Sequence, residues 1–172
     1  GERVQFDTLS RPFTHRVQEP DGSVYEFTTG PGARGWVPLD AVSAYLPKVL
    51  NTTEDGTFFS HKGIAFFAIR DAIIDNLERG RFYRGASTIT QQLVKNVFLI
   101  REKTISRKAQ ELFLAWRIEK KLSKDQILAL YLNIIELGPE IYGIRRASRH
   151  YFGKRPSELS LIECIHLGTI LP

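Results

Sequence analysis

Two glutamates stand out as the residues best placed to do chemistry in this chain. Glu54 sits beside Asp55 in NTTEDGTFFSHKG at positions 51–63, a stretch that closes on His61 and Gly63. Glu111 lies one turn beyond Arg107 and Lys108 in RKAQE. A carboxylate kept partly out of water by neighbours such as Phe58 and Phe59 can remove a proton from a poor nucleophile. A carboxylate beside cations can orient them. Between the two, GASTITQQLVKN at 85–96 brings the hydroxyls of Ser87 and Thr88, the amides of Gln91, Gln92 and Asn96, and the cation Lys95. Amides and one cation make a helix face less charged than a purely solvated one usually is. Each stretch also has a plain structural reading. Asn, Thr, Asp and Gly are ordinary turn formers, and His61 can cap or pack. Glu111 with its two cations can be a surface ion-pair set worth about 0.3 kcal/mol per pair, and Lys95 can keep its helix solvated.

The elements that must position these residues read as mostly helical. VPLDAVSAYLPKVL (37–50) turns helical, with Pro47 predicted to split or end a short helix. IAFFAIRDAIIDNLERG (64–80) has helical spacing at Phe66, Ile69, Ile73 and Leu77, and Gly80 can terminate it. Phe67, Ala68 and Ile74 widen that stripe, so the helix is either sandwiched in a core or lays a second apolar face on lipid. Phe58, Phe59, Phe82 and Tyr83 flank it. ASTITQQLVKNVFLI (86–100) sets Ile89, Leu93 and Val97 against Thr88, Gln92 and Lys95. TISRKAQELFLAWRIEKKL (104–122) is predicted to pack through Ile105, Ala109, Leu112, Trp116 and Leu122. SKDQILALYLNIIELG (123–138) opens on a capping box of Ser123 and Gln126 and is predicted to stop at Gly138-Pro139. A short helix ending at Gly153 follows, and a last one is capped by Ser160 with Glu163 reaching back. About seven helices with short joints make a mainly α domain. Residues 1–35 are irregular apart from the strand-like SVYEFTT (23–29) and read as a hairpin or ordered arm of the same domain.

The totals bound the reading. The 172 residues, 42% of them hydrophobic, suit one domain with a real core. Cys164, the lone cysteine, rules out an internal disulfide and a cysteine zinc site, and its apolar surroundings predict a buried thiol. No stretch reaches the roughly 18 uninterrupted apolar residues of a spanning helix. The net charge of +5 favours anionic partners, a membrane surface or a phosphorylated substrate. Nucleic acid ranks last, because the basic residues are scattered among acids. The absence of methionine predicts that Gly1 is a trimmed end from which targeting or anchor segments have been removed.

Taken in order, EDGTFFSHKG, GASTITQQLVKN, RKAQE and KDQILALYLN resemble the successive motifs of the family 51 glycosyltransferases, the peptidoglycan polymerases. These occur as monofunctional membrane enzymes and as the first domain of bifunctional penicillin-binding proteins. The likeness runs from about Trp36 to the end, so residues 36–172 form the implied domain, truncated at its C-terminus in the apolar GTILP. It implies a lysozyme-like α fold with a small hydrophobic lobe that contacts the membrane. The work would be done at the extracytoplasmic face of the bacterial cytoplasmic membrane, with no cofactor required. The implied reaction joins lipid II, a lipid-linked disaccharide-pentapeptide, into β-1,4-linked glycan. A partner or appended transpeptidase domain is a further implication.

By the same resemblance, Glu54 is the base on the acceptor hydroxyl, Asp55 orients its surroundings, and His61 with Gly63 fixes the presenting turn. Ser87, Thr88, Gln91, Gln92, Lys95, Asn96, Lys103, Arg107 and Lys108 would bind substrate, the cations facing the departing diphosphate. Glu111 would orient those cations, assist departure or bind a divalent Mg or Mn ion. Inversion at the anomeric carbon needs no covalent intermediate and sets the carboxylates at least as far apart as an inverting pair, roughly 6.5 to 9.5 Å. Two departures from the family pattern stand out. Lys103 replaces a customary arginine and loses its planar fork, which Arg101 can share. Pro139 and Glu140 interrupt a usually glycine-rich loop. Two other readings compete: a lysozyme-like hydrolase, whose neutral substrate would not need the cations, and a catalytically silent module that binds lipid-linked sugar or a cell-wall partner.

Overall fold

The structure, a computed structural model, describes residues 6–18, 21–81, 85–99 and 104–171. Chain order gives strands β1 (Phe13–Gln18) and β2 (Val24–Thr29), then helices α1 (Tyr45–Thr53), α2 (Phe66–Glu78), α3 (Ile89–Phe98), α4 (Ile105–Glu119), α5 (Lys124–Ile134), α6 (Ile144–Phe152) and α7 (Leu161–Thr169). Three short 3-10 turns join them. The protein is mainly α, with one two-stranded antiparallel sheet.

Helix α5 is the centre. Its residues Ile127 to Ile134 are all buried, because α3 packs on one side and α6 and the 39–41 turn close the rest. Each fully buried Leu or Ile there contributes about 1.5–3 kcal/mol. One polar residue crosses that core. The Asn133 amide takes the Val37 N–H at 2.9 Å and donates to the carbonyls of Val37 and Ala129 at 2.8 Å each, fastening the 37–39 segment to α5. Helix α3 also packs on α4, and α1 packs on α7. Cys164 is buried and free, as its surroundings predict.

The predicted hairpin is present, pairing Phe13 with Thr29 through Gln18 with Val24. Its first strand, FTHRVQ, lacked a clear signal in the sequence. It buries His15 and Val17. His15 meets Phe27 edge-on at 5.2 Å, its Nε2 has no hydrogen-bond partner among the described residues, and burial pushes its pKa down to about 4.

Three expectations need correction. Pro47 neither splits nor ends a helix: it lies in the first turn of α1, where its missing N–H leaves nothing unsatisfied. Helix α5 stops at Ile134, not at Gly138, and the chain then folds into a tight turn in which the Leu137 N–H donates to the Ile141 carbonyl at 2.8 Å. That turn holds Glu140 at φ 59°. The third concerns α4. It buries Glu111, Leu114, Ala115 and Ile118, while Ile105 and Ala109 are exposed, Trp116 is 42% exposed, and Leu112 and Leu122 are half-buried. A glutamate in the buried stripe misdirects any reading that places charge outward.

Candidate active site

The site grows from the end of α1. That helix closes on Glu54 as C-cap, the Glu54 N–H bonding to the Leu50 carbonyl at 2.9 Å. The next residue, Asp55, turns inward and is buried. Its carboxylate accepts from His61 Nε2 at 2.8 Å and from the Ile89 N–H, the first residue of α3, at 3.0 Å. His61 Nδ1 accepts from the Gly63 N–H at 3.0 Å, so the network assigns the ring proton to Nε2. The Gly63 carbonyl then receives Thr88 Oγ1 at 2.8 Å and Gln91 Nε2 at 3.0 Å.

Gly63 is required twice over. Its φ is +87°, and a Cβ there would lie 2.9 Å from the Ala115 carbonyl carbon and oxygen. Thus buried Asp55 and Gly63, joined through the His61 ring, form a clamp that locks the end of α1 to α3 and α4.

The clamp leaves Glu54 half-buried beside α3. Gln92 Nε2 donates to Glu54 Oε2 at 3.1 Å, and Gln92 Oε1 accepts from the Tyr131 hydroxyl at 3.0 Å. Tyr131 is fully buried at the centre of α5, and burial, then the Glu54 charge, pushes its pKa up. Tyr131 therefore stays protonated and fixes which end of the Gln92 amide faces Glu54. Sequence reasoning gave Tyr131 no role. The available signal was a hydroxyl-bearing ring at a position fit for Phe.

Glu111 has a different environment. Its carboxylate is buried between two cations: Arg107 Nη1 donates to Oε2 at 3.3 Å, and Lys108 Nζ makes a short bond to Oε1. Lys108 also donates to Ser87 Oγ at 3.0 Å and Gln91 Oε1 at 3.1 Å. Arg107 Nε is buried with no hydrogen-bond partner among the described residues. Adjacent residues of α3 therefore serve opposite carboxylates: Gln92 holds Glu54, and Gln91 reaches Glu111 through Lys108.

Lys95, one turn beyond Gln92, is exposed, and Asn96 is half-buried. Lys103 and Arg101 lie outside the described residues, as do Phe82 and Tyr83. Phe58 is core, with Lys124 Nζ 4.4 Å from its ring centre, and Phe59 is exposed. No group of three or more His, Cys, Asp or Glu side chains that could hold a metal converges among the described residues.

A mainly helical domain with two carboxylates tied to one glutamine-rich helix sets the class, and comparison with known proteins gives the family. The transglycosylase family model matches residues 21–172, and the chain belongs to that family. It is 42% identical over 137 residues to a biosynthetic peptidoglycan transglycosylase of Nitrosospira multiformis, covering 80% of this chain and 60% of that protein. It is 40% identical over 148 residues to the protein of that name from Cupriavidus metallidurans, covering 86% of this chain and 64% of that one. Penicillin-binding protein 1A of Aquifex aeolicus is 42% identical over 164 residues, covering 95% of this chain but 22% of that protein. The chain thus spans about 60% of the length of the curated transglycosylases it matches.

Proposed function

We propose that this chain polymerises lipid II into β-1,4-linked glycan by inverting transfer at an extracytoplasmic membrane surface. The observation that carries the reading is the unequal treatment of the two glutamates. Glu54 is met by a neutral amide, and its second oxygen makes no hydrogen bond among the described residues. Glu111 is held by two cations.

Glu54 then acts as general base, and its unengaged oxygen takes the proton of the acceptor hydroxyl. The oxygen left behind attacks the anomeric carbon in line, and the bond to the lipid diphosphate breaks with its electron pair. Lys108 and Arg107, fixed in place by Glu111, face the growing negative charge, with Lys95 and Lys103 as further cations for the diphosphate. Glu111 in this reading orients cations and is not a second base, and the reaction needs no cofactor. The names of the relatives support glycan assembly as the process. The exposed Phe66, Phe67, Ile73 and Leu77 of α2 support contact with lipid. Among the described residues no helix is long and apolar enough to cross a membrane, so α2 would lie on the bilayer and not span it.

The test is to incubate the protein with labelled lipid II and resolve the products by gel. Long glycan ladders are expected. Shortening of preformed glycan would point to a hydrolase, and saccharide binding without turnover to a silent module.

A further inference from the structure

Two pockets of similar size meet at Leu122, where α4 passes into α5, and they differ in charge. The first, about 660 Å³, has Asp40 and Asp125 on an apolar lining with Trp36 and no cation among the described residues that line it. The second, about 650 Å³, is lined by Lys62, Lys120 and Lys124. Glu119 is the one acid lining it among the described residues, and it is already committed: it takes Thr90 Oγ1 at 2.6 Å and Lys124 Nζ at 2.6 Å. Lys62 and Lys120 are left without an acidic partner among the described residues. Lys120 Nζ sits 3.5 Å from the Trp116 ring centre, a cation–π contact that leaves its charge unneutralised. Ser123, which caps α5, also lines the wall, so the positive end of that helix adds to the field. The pocket selects an anion.

Its rim selects where the anion comes from. Phe59 and Trp116 line it and are 54% and 42% exposed, and Phe113, also exposed, lies 6.2 Å from Trp116 between ring centres. Gly63 presses on the Ala115–Trp116 backbone, so α2 departs from the same place three residues later, opening on exposed Phe66 and Phe67. A cationic pocket with an aromatic lip, at the foot of an apolar face, matches the layered chemistry of a bilayer surface: phosphate outside, hydrocarbon beneath. None of Glu54, Gln92, Lys95 or Glu111 lines it.

We propose that this pocket binds the phosphate of an anionic phospholipid headgroup while the apolar face of α2 rests in the bilayer. The proposal rests on the reading that the chain works at a lipid surface, but its test measures vesicle binding and not polymerisation. Sedimentation of the full chain with vesicles of phosphatidylcholine alone, and with about one third phosphatidylglycerol, gives the partition coefficient. The double variant Lys62→Gln/Lys120→Gln is expected to lose about 30-fold on the anionic vesicles and nothing on the neutral ones. A charge-matched double variant at exposed Lys48 and Arg149, Lys48→Gln/Arg149→Gln, is expected to lose about twofold or less. Glu54→Gln should bind vesicles as the parent does, whatever its activity. Equal losses in the two double variants would reduce the effect to net charge, and no loss in the first would remove the site; either result overturns the proposal. Equal partitioning of the parent onto neutral and anionic vesicles, with saturable binding of inorganic phosphate that Lys62→Gln/Lys120→Gln loses, would assign the pocket to a free anion and overturn the lipid assignment.

Discussion

Helix α2 has eight apolar residues among 13 and buries only Ala72, whereas α5 has seven among 11 and buries eight residues in a row. Apolar content is nearly equal, so it does not decide burial; neighbours do. Around α5 the chain supplies α3, α6 and the 39–41 turn, and Asn133 is fully bonded inside. Around α2 it supplies a departure point at Gly63 and leaves Leu77 75% exposed. One helix holds the site rigid, and the other leaves most of its apolar side chains exposed, the face that the proposed lipid contact would use.

The sharpest way to break this comparison is a matched pair of truncations. Leu130→Ala in α5 should cost about 3 kcal/mol, and Leu77→Ala in α2 no more than about 0.5 kcal/mol, read by chemical denaturation. Equal costs would mean that α2 is packed in solution. The next effect uses pH. His15 has a folded pKa near 4 against 6.5 for an ordinary histidine, so the unfolded chain binds the extra proton between those values. Stability should therefore fall as pH drops from about 6.5 to about 4, by at most about 3 kcal/mol. His15→Phe should flatten that slope. Tyr131→Phe should cost less than the pH change does, about 1 kcal/mol, because one hydroxyl is removed from a filled site. Its turnover number should nevertheless fall roughly tenfold with KM little changed, since the Gln92 amide is then free to turn its carbonyl toward Glu54. Unchanged turnover would make Tyr131 purely structural.

Much of this was legible in the chain because local rules and tertiary needs agree. The capping boxes at Ser123 and Ser160, the left-handed Gly153 and the hairpin strand at 24–29 all follow from short-range chemistry. Motif order pointed to the family, which the match over residues 21–172 bears out. The face of α4 was not legible, because Glu111 is buried only by virtue of Lys108, Arg107 and, through Lys108, Gln91 on another helix. Nor could the sequence choose between core and lipid for α2, whose stripe suits either. The role of Tyr131 depends on its meeting Gln92, 39 positions away in the chain. The environment of His15 depends in the same way on Phe27 across the hairpin.

The most direct test is the rate of glycan synthesis from lipid II by Glu54→Gln, measured with its melting temperature. The replacement keeps the shape and the Gln92 contact but cannot take a proton. We expect a folded protein whose rate falls by about a thousandfold. A folded variant that still builds chains at near the parent rate would place the base elsewhere and contradict the assignment.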